Sequence, residues 1–381
     1  MNDAIKYVGV NDRALDLFEG QYIIPNGISY NSYIILDDKV VIMDTVDKRA
    51  KDEWLKNVKE VLKERQPDYL VVSHMEPDHC SNIKTICELY PEMKIIGNVK
   101  TFTMMKQFFR DFSFEDRQIV VKENDTLQLG HHTLRFIMAP MVHWPEVMVT
   151  HEESEKILFS ADAFGKFGAL DADEDWACEA RRYYFNIVGK YGLQVQALLK
   201  KASTLDIKMI CPLHGPILKD NLSYYIDKYN IWSSYQYEDR GVFIAYASIH
   251  GNSEYAAQEL AKLLKDKGVK VAISDLSRED QAEAVEDAFR YSHLVLVASS
   301  YDGGVFTPME EFLAHLKAKN YQNRTVAFIE NGSWAPSALK TMKAFIEPLK
   351  NITIIDKSIT IRSTLSDENK EELKELAETL L

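Results

Sequence analysis

The chain has little of what would place it among disulfide-bonded, thiolate-ligated, membrane-spanning or nucleic-acid-binding proteins. Its four cysteines, Cys80, Cys87, Cys178 and Cys211, are scattered over 381 residues and form no C-x-x-C pair. Neither a disulfide framework nor a cysteine-held iron or zinc site is expected, and a reducing cytoplasm fits this usage. Positive charge is in deficit: 45 Lys and Arg against 58 Asp and Glu leave a formal net charge of -13. Replacing the counterions of a phosphate backbone takes clustered cations, so nucleic acid is not an expected partner. Nowhere do about eighteen apolar residues run together, and the opening Met1-Asn-Asp-Ala-Ile-Lys-Tyr lacks the basic-then-apolar order of a leader, so neither a membrane span nor export is expected. Also missing are G-x-G-x-x-G and G-x-x-x-x-G-K-S/T, the glycine-rich cradles of dinucleotides and nucleoside triphosphates. There is no internal repeat and no low-complexity segment.

What is present is globular: 46% apolar and 27% charged residues, over a length that suits two domains. In the first part, short apolar runs alternate with turns: Tyr33–Leu36, Val40–Met43, Tyr69–Ser73, Leu134–Met138, Ile157–Ser160 and Ile207–Ile210. Asp37-Asp38 and Gly130-His-His-Thr133 punctuate like hairpins, which predicts antiparallel sheet mixed with helices in a layered α/β sandwich. A polar stretch, Ser233–Arg240, then precedes the continuous apolar run Val242–Ala247. From there strand and helix patterns alternate to the end, which predicts a doubly wound parallel sheet. The boundary is expected there, with domains 1–238 and 239–381.

The strand pattern Tyr69–Ser73 runs straight into His74-Met-Glu-Pro-Asp-His79, four potential ligands in a six-residue loop at a strand end. A rigid sheet can hold such side chains in fixed directions, and Pro77 limits the backbone between them. Three further candidates stand at later strand ends: His143, Asp162 and His214. Imidazoles and carboxylates without thiolate suit iron, zinc or manganese, and Asp162, with two oxygens, is the candidate bridge between two ions. A lone histidine carries no such argument. His131 and His132 in the hairpin turn and His151 beside a charged run are expected to be solvent-exposed. Tyr183, Tyr184 and Trp144 read first as core aromatics.

The loop resembles that of the metallo-β-lactamase superfamily, H-x-H-x-D-H, with Glu76 in place of the second histidine. That departure, with His143, Asp162 and His214, is similar to the flavodiiron proteins, in which the glutamate accompanies iron. The resemblance implies that His74, Glu76 and His143 hold one iron, Asp78 and His214 the other, and Asp162 bridges them. His79 matches the last histidine of the loop and is kept as a near-site residue. The interval from Asp162 to His214 is short for the family and implies a trimmed segment.

In the second part, Val242–Ala247 leads into Ser248-Ile249-His250-Gly251-Asn252-Ser253 and then a helix starting near Glu254. A turn with small hydroxyls at a helix N-terminus offers backbone N–H groups and a favourable dipole to a phosphate. The loop resembles the phosphate loop of flavodoxins, with His250 where a threonine is usual. Ser299-Ser300-Tyr301-Asp302-Gly303-Gly304 and Asn331-Gly332-Ser333-Trp334 follow two later strand patterns, where flavodoxins place the loops around the flavin ring. Glycines there let the backbone approach the ring, and Tyr301 or Trp334 offers a flat stacking surface.

The two constellations in this order resemble the flavodiiron architecture over nearly the whole chain. The resemblance implies FMN, a non-haem diiron centre, and reduction of dioxygen to water, of nitric oxide to nitrous oxide, or of both. It also implies an external electron donor such as rubredoxin, since no cysteine-rich module follows, and a head-to-tail homodimer or dimer of dimers. A zinc-dependent hydrolase fused to a flavodoxin-like domain is the competing reading; Glu76 and the flavin-like loops count against it. An electron carrier with a degenerate first domain is disfavoured because every expected ligand position is filled.

Overall fold

The computed structural model describes residues 4–381 and divides into two compact units. One runs to Tyr184 and takes in Leu193–Asn230; the other comprises Phe185–Gly192 and Ile231–Leu381. The segment 231–238, which the sequence reading assigns to the first domain, clusters with the second unit, as does the excursion Phe185–Gly192.

The first unit is built on two principal sheets. One runs in the order Ile5–Tyr7, Tyr33–Ile35, Val41–Met43, Tyr69–Val71, Lys94–Gly97, Gln118–Val120, antiparallel over its first three strands and parallel over the rest. The other runs Thr126–Gln128, Thr133–Met138, Met148–Glu152, Ile157–Phe159, Met209–Cys211, with only the last pair parallel. Alternate residues of both, among them Tyr33, Ile35, Met43, Val71, Phe136, Met148 and Phe159, share one buried core between the sheets. Each such apolar side chain contributes on the order of 1.5–3 kcal/mol by leaving water. Both hairpin turns read from the sequence are present, and they are tied together. Asp37 accepts the backbone N–H of His131 (3.1 Å) and of His132 (2.6 Å) and pairs with the His132 ring (Nδ1, 2.7 Å).

That tie corrects one expectation. His132 is buried, held by Asp37; His151 is buried too, within a strand whose five residues are all inside, its Nε2 3.3 Å from the Asp206 carbonyl. Of the three histidines expected in solvent, only His131 is exposed. Pairing of distant turns and strands, invisible along the chain, put the other two inside.

The second unit is a parallel sheet in the order Val271–Asp275, Asp239–Ala247, Tyr291–Tyr301, Thr325–Asn331, with Thr353–Ile354 and Ile359–Ile361 both pairing on the last. Strands covered on both faces are apolar throughout, as Val242–Ala247 is. The helix Asn252–Asp266 buries Ala256, Ala257, Leu260, Ala261 and Leu264, one stripe at helical spacing, and starts two residues before the position expected. The last helix, Asp367–Thr379, opens on a capping box of Ser366 and Asn369. No helix among the described residues is long and apolar enough to cross a membrane.

Candidate functional site

The loop 73–79 leaves the parallel strand Tyr69–Val71 and is pinned from two sides. Ser73 N donates to the Asp44 carboxylate (2.6 Å), and Met75 N to Glu146 (2.8 Å). Thr45 donates to the His79 carbonyl through its N–H (3.0 Å) and its hydroxyl (2.7 Å). Burial pushes the Asp44 carboxyl up to about 6, against the pull of the Ser73 hydrogen bonds. His143 reaches the loop from the turn before Met148–Glu152, Asp162 from the turn after Ile157–Phe159, and His214 from the turn after Met209–Cys211. The last two turns are bonded to each other, Leu213 N to the Ala161 carbonyl (2.9 Å).

These side chains form two groups with metal-ligand spacing: His74, Glu76, His143 and Asp162, and Asp78, His79 and His214. In the first, Asp162 Oδ2 lies 3.3 Å from His74 Nε2 and 3.0 Å from His143 Nε2, while Glu76 Oε2 is 3.2 and 3.0 Å from the same nitrogens. In the second, Asp78 Oδ2 is 3.3 Å from His79 Nε2 and 3.2 Å from His214 Nε2, and those nitrogens stand 3.0 Å apart. The other oxygen of Asp162, Oδ1, faces this second group, 3.5 Å from His79 Nε2 and 4.0 Å from His214 Nε2. All six residues singled out in the sequence therefore converge, and His79, kept there as near-site, stands among them.

The donor atoms fit a pair of cations. Asp78 and Asp162 are buried, and neither oxygen of either carboxylate has a hydrogen-bond partner, a costly state unless something positive fills the space. The rings are turned to present lone pairs. His74 Nδ1 is bonded to Glu146 Oε1 (2.8 Å) and His214 Nδ1 to the Ser29 carbonyl (2.7 Å), which places the ring proton outward and leaves Nε2 free toward the centre. Burial works to lower the pKa of His143, but Asp162 and Glu76 outweigh it and hold the ring up at about 9. His74 is likewise raised, against burial, chiefly by Asp162. Anionic pockets that pull protons onto their ligands in this way bind cations in competition with those protons.

Several functional groups escaped the sequence reading. Glu146 and Ser29 orient ligand rings from distant segments, although a glutamate between Pro145 and the apolar Val147-Met148-Val149 was a usable signal for a buried, bonded carboxylate. Trp144 and Tyr183, read first as core, are both core and wall. The Trp144 ring is edge-on to His74 at 5.2 Å, and the Tyr183 ring is 5.6 Å from that of His214. The Tyr183 hydroxyl is buried without a partner, and burial, with Asp162, Glu76 and Asp78 nearby, keeps it firmly protonated. Tyr184 packs on Tyr229 (5.2 Å) as core. Glu19, at the tip of the hairpin Leu17–Phe18/Tyr22–Ile23, is an exposed residue whose carboxyl is pushed up to about 7, by partial desolvation first and then by the Glu76 carboxylate.

In the second unit, the loops after Asp239–Ala247, Tyr291–Tyr301 and Thr325–Asn331 surround a cavity of about 590 Å³. Ile249, His250, Asn252, Ser300, Tyr301, Asp302, Gly303 and Asn331 through Trp334 line it, as does Ser363, which the sequence reading missed. Four expected residues do not line the cavity. Ser248 Oγ accepts from Gly251 N (3.1 Å), Ser253 Oγ bonds Ser299 Oγ (2.9 Å), and the Gly304 carbonyl accepts from Ser337 (2.8 Å). They shape the loops instead. Gly251 caps the helix Asn252–Asp266 at φ 85° with no side-chain cap, so the first-turn N–H groups stay available to a phosphate. The volume falls within the range of small-molecule and cofactor sites, and Trp334 (90% exposed) and Tyr301 (47%) stand at its rim.

Comparison with known proteins agrees with the fold of both units. The family described as ODP family beta lactamase matches residues 28–215, and the flavodoxin family matches 244–375. The chain is similar to a nitric oxide reductase of Moorella thermoacetica, 29% identical over 95% of this chain and 92% of the relative. The structure of the rubredoxin oxygen:oxidoreductase from the anaerobe Desulfovibrio gigas superimposes with a TM-score of 0.92 at 25% identity, covering 100% of this chain and 96% of that one. The flavodiiron protein from Giardia intestinalis, at 23% identity and a TM-score of 0.89, covers 100% and 95% and shows the same fold. The chain spans 50% and 55% of the length of two diflavin flavoproteins of Synechocystis that it also matches. With a metallo-β-lactamase-like unit, a flavodoxin-like unit and these relatives, the chain belongs to the flavodiiron family.

Proposed function

We propose that the chain reduces dioxygen to water, nitric oxide to nitrous oxide, or both, with FMN and a non-haem diiron centre as its cofactors. The observation that carries this reading is the splitting of Asp162, one oxygen toward His74 and His143, the other toward His79 and His214. His74, Glu76 and His143 would hold one iron, Asp78, His79 and His214 the other, with Asp162 between them. Glu76 supplies an anionic oxygen where a third imidazole would stand, which favours the harder, more oxidised ion. When bound, two irons and a flavin together supply the electrons for four-electron reduction of dioxygen or two-electron coupling of nitric oxide.

The chain's own residues prepare the reaction. Glu146 and the Ser29 carbonyl keep His74 and His214 in the ligating tautomer. The buried rings of Phe18, Phe167 and Tyr183 exclude bulk water from the His214 side. Tyr183, protonated and unpartnered, offers a hydrogen-bond donor beside His214 and the three carboxylates. The flavin phosphate would sit at Ile249–Asn252 and the ring between Tyr301 and Trp334, in the domain beginning at Asp239, where the first strand of the parallel sheet starts.

Electrons would come from an external carrier of the rubredoxin kind in the cytoplasm. A head-to-tail homodimer would bring the flavin of one chain to the irons of its partner; the exposed Trp334 and Tyr301 at the cavity rim give such a partner an apolar surface to cover. The test is purified full-length protein expressed with ample iron. Two irons and one FMN per chain, with consumption of dioxygen or nitric oxide under a reduced donor, are expected. Two zinc ions with esterase activity and no gas consumption would reject the reading.

A further inference from the structure

The loop between the strand Asp239–Ala247 and the helix Asn252–Asp266 is shaped by its own hydroxyls. Ser248 Oγ accepts from Gly251 N (3.1 Å), and Ser253 Oγ is bonded to Ser299 Oγ (2.9 Å) on the neighbouring strand Tyr291–Tyr301. Both serines are thus engaged in holding the loop, and neither lines the cavity. Gly251, left-handed at φ 85°, turns the chain into the helix without a side-chain cap, so the N–H groups of the first turn have no side-chain acceptor. They offer a seat for an anion.

What the loop adds to that seat is His250, whose exposed side chain stands at the wall of the cavity of about 590 Å³. No hydrogen bond, ion pair or ring contact with another described residue holds its imidazole. The charges around the cavity are few. No lysine or arginine lines it; Asp302 is its one carboxylate, and His250 is its one side chain able to carry positive charge. Glu254, in the first turn of the helix, accepts from Gln258 Nε2 (3.1 Å) and does not line the cavity.

We propose that His250 is the residue that selects the phosphorylated flavin: its imidazole sets a positive charge against the phosphate of FMN, and the preference for FMN over riboflavin, the same ring system without phosphate, depends on it. The inference rests on the flavin reading above and deepens it. A phosphate monoester carries about -1.5 to -2 charges at neutral pH, and a neighbour of that charge favours the protonated form of an imidazole. Backbone N–H groups fix where a phosphate sits, whereas a charge-assisted hydrogen bond from a cation is roughly twice as strong as one between neutral groups. Asp302, Tyr301 and Trp334 meet either flavin alike, so discrimination between the two falls to the phosphate loop. Because His250 stays in contact with water, its share of the attraction is screened by salt.

The experiment is a pair of binding titrations on the full-length protein freed of flavin, one with FMN and one with riboflavin, each followed by the quenching of flavin fluorescence. His250→Leu should weaken FMN by about tenfold, the worth of one charge-assisted hydrogen bond at an accessible site, and leave riboflavin unchanged. His250→Lys, which returns a positive charge without the ring, should restore most of the preference. Added salt should weaken FMN binding in the unaltered protein and much less in His250→Leu. Riboflavin binding serves as the control for an intact cavity, since a residue that only shapes the loop would move both flavins together. A ratio of FMN to riboflavin affinity that is the same in His250→Leu as in the unaltered protein would overturn the proposal, whether both affinities hold or both fall. An unaltered protein that binds neither flavin would instead defeat the flavin reading itself, a result recognisable before any variant is made.

Discussion

The two sites solve the problem of holding a charged group in opposite ways. In the first unit the donors are side chains, buried and aimed from four separate loops, with carboxylate oxygens left unpartnered for cations. In the second the cavity is open, and the features that fit an anion are backbone: a left-handed Gly251, an uncapped helix start and loops shaped by their own hydroxyls. A cation needs localised negative charge whose desolvation has already been met by the fold, whereas a phosphate can be taken by N–H groups that remain in contact with water. The metal centre should therefore be sensitive to single side chains and to protons, and the flavin site to backbone conformation.

The sharpest break in that comparison is Asp162→Ala. Because each of its oxygens faces a different ligand group, both metals should be lost together, with activity, while FMN content is unchanged; His74→Ala should release one metal more readily than the other. Metal and flavin analysis of the purified variants checks this, and retention of two tightly held ions by Asp162→Ala would contradict the bridging geometry. Next in size is Glu146→Gln. It keeps the shape but weakens the charge-assisted bond to His74 Nδ1, and metal affinity should fall by about 10–100-fold, read by competition with a chelator.

Acid should separate the two sites. Metal-free, His143 titrates at about 9, above its ordinary value, so below that pH a metal must displace a proton from it. Affinity at the first site should weaken by about tenfold per pH unit on going down from 9, for each proton displaced. The sign for stability runs the other way: in the metal-free protein the raised pKa stabilises the fold at low pH, and this contribution is lost as pH rises through 9. Metal binding measured from pH 9 to pH 6 that stays flat would contradict it. The smallest effect belongs to the second unit. Gly303 has φ 74° and open space where a Cβ would stand, so Gly303→Val should cost about 1–2 kcal/mol in loop strain and weaken FMN binding without touching the metals, measured by flavin fluorescence beside metal content.

The convergence of the loop His74–His79 was legible because its candidate donors are contiguous and the strand before it is apolar, and that of His143, Asp162 and His214 because each ends a strand run. The parallel sheet of the second unit could be read from its alternating pattern. What could not be read came from segments far apart. Ser29 and Glu146 bond to His214 and His74, 185 and 72 positions away, and nothing local marks them as members of one site. His132 was misjudged for the same reason, since its burial depends on Asp37, 95 positions earlier. The short strands before Tyr33 left no pattern, as runs of two or three residues carry too few positions to show a period.

By itself, then, the sequence determined the inventory: which loops carry donors, which strands precede them and which half of the chain suits a flavin, because strand and helix patterns and contiguous motifs are local properties. The tertiary structure decided which oxygen of Asp162 faces which group and which nitrogens of His74 and His214 are free toward the centre. Those are matters of direction and distance between loops, set only when the sheets pack and the turns of the first unit bond to one another.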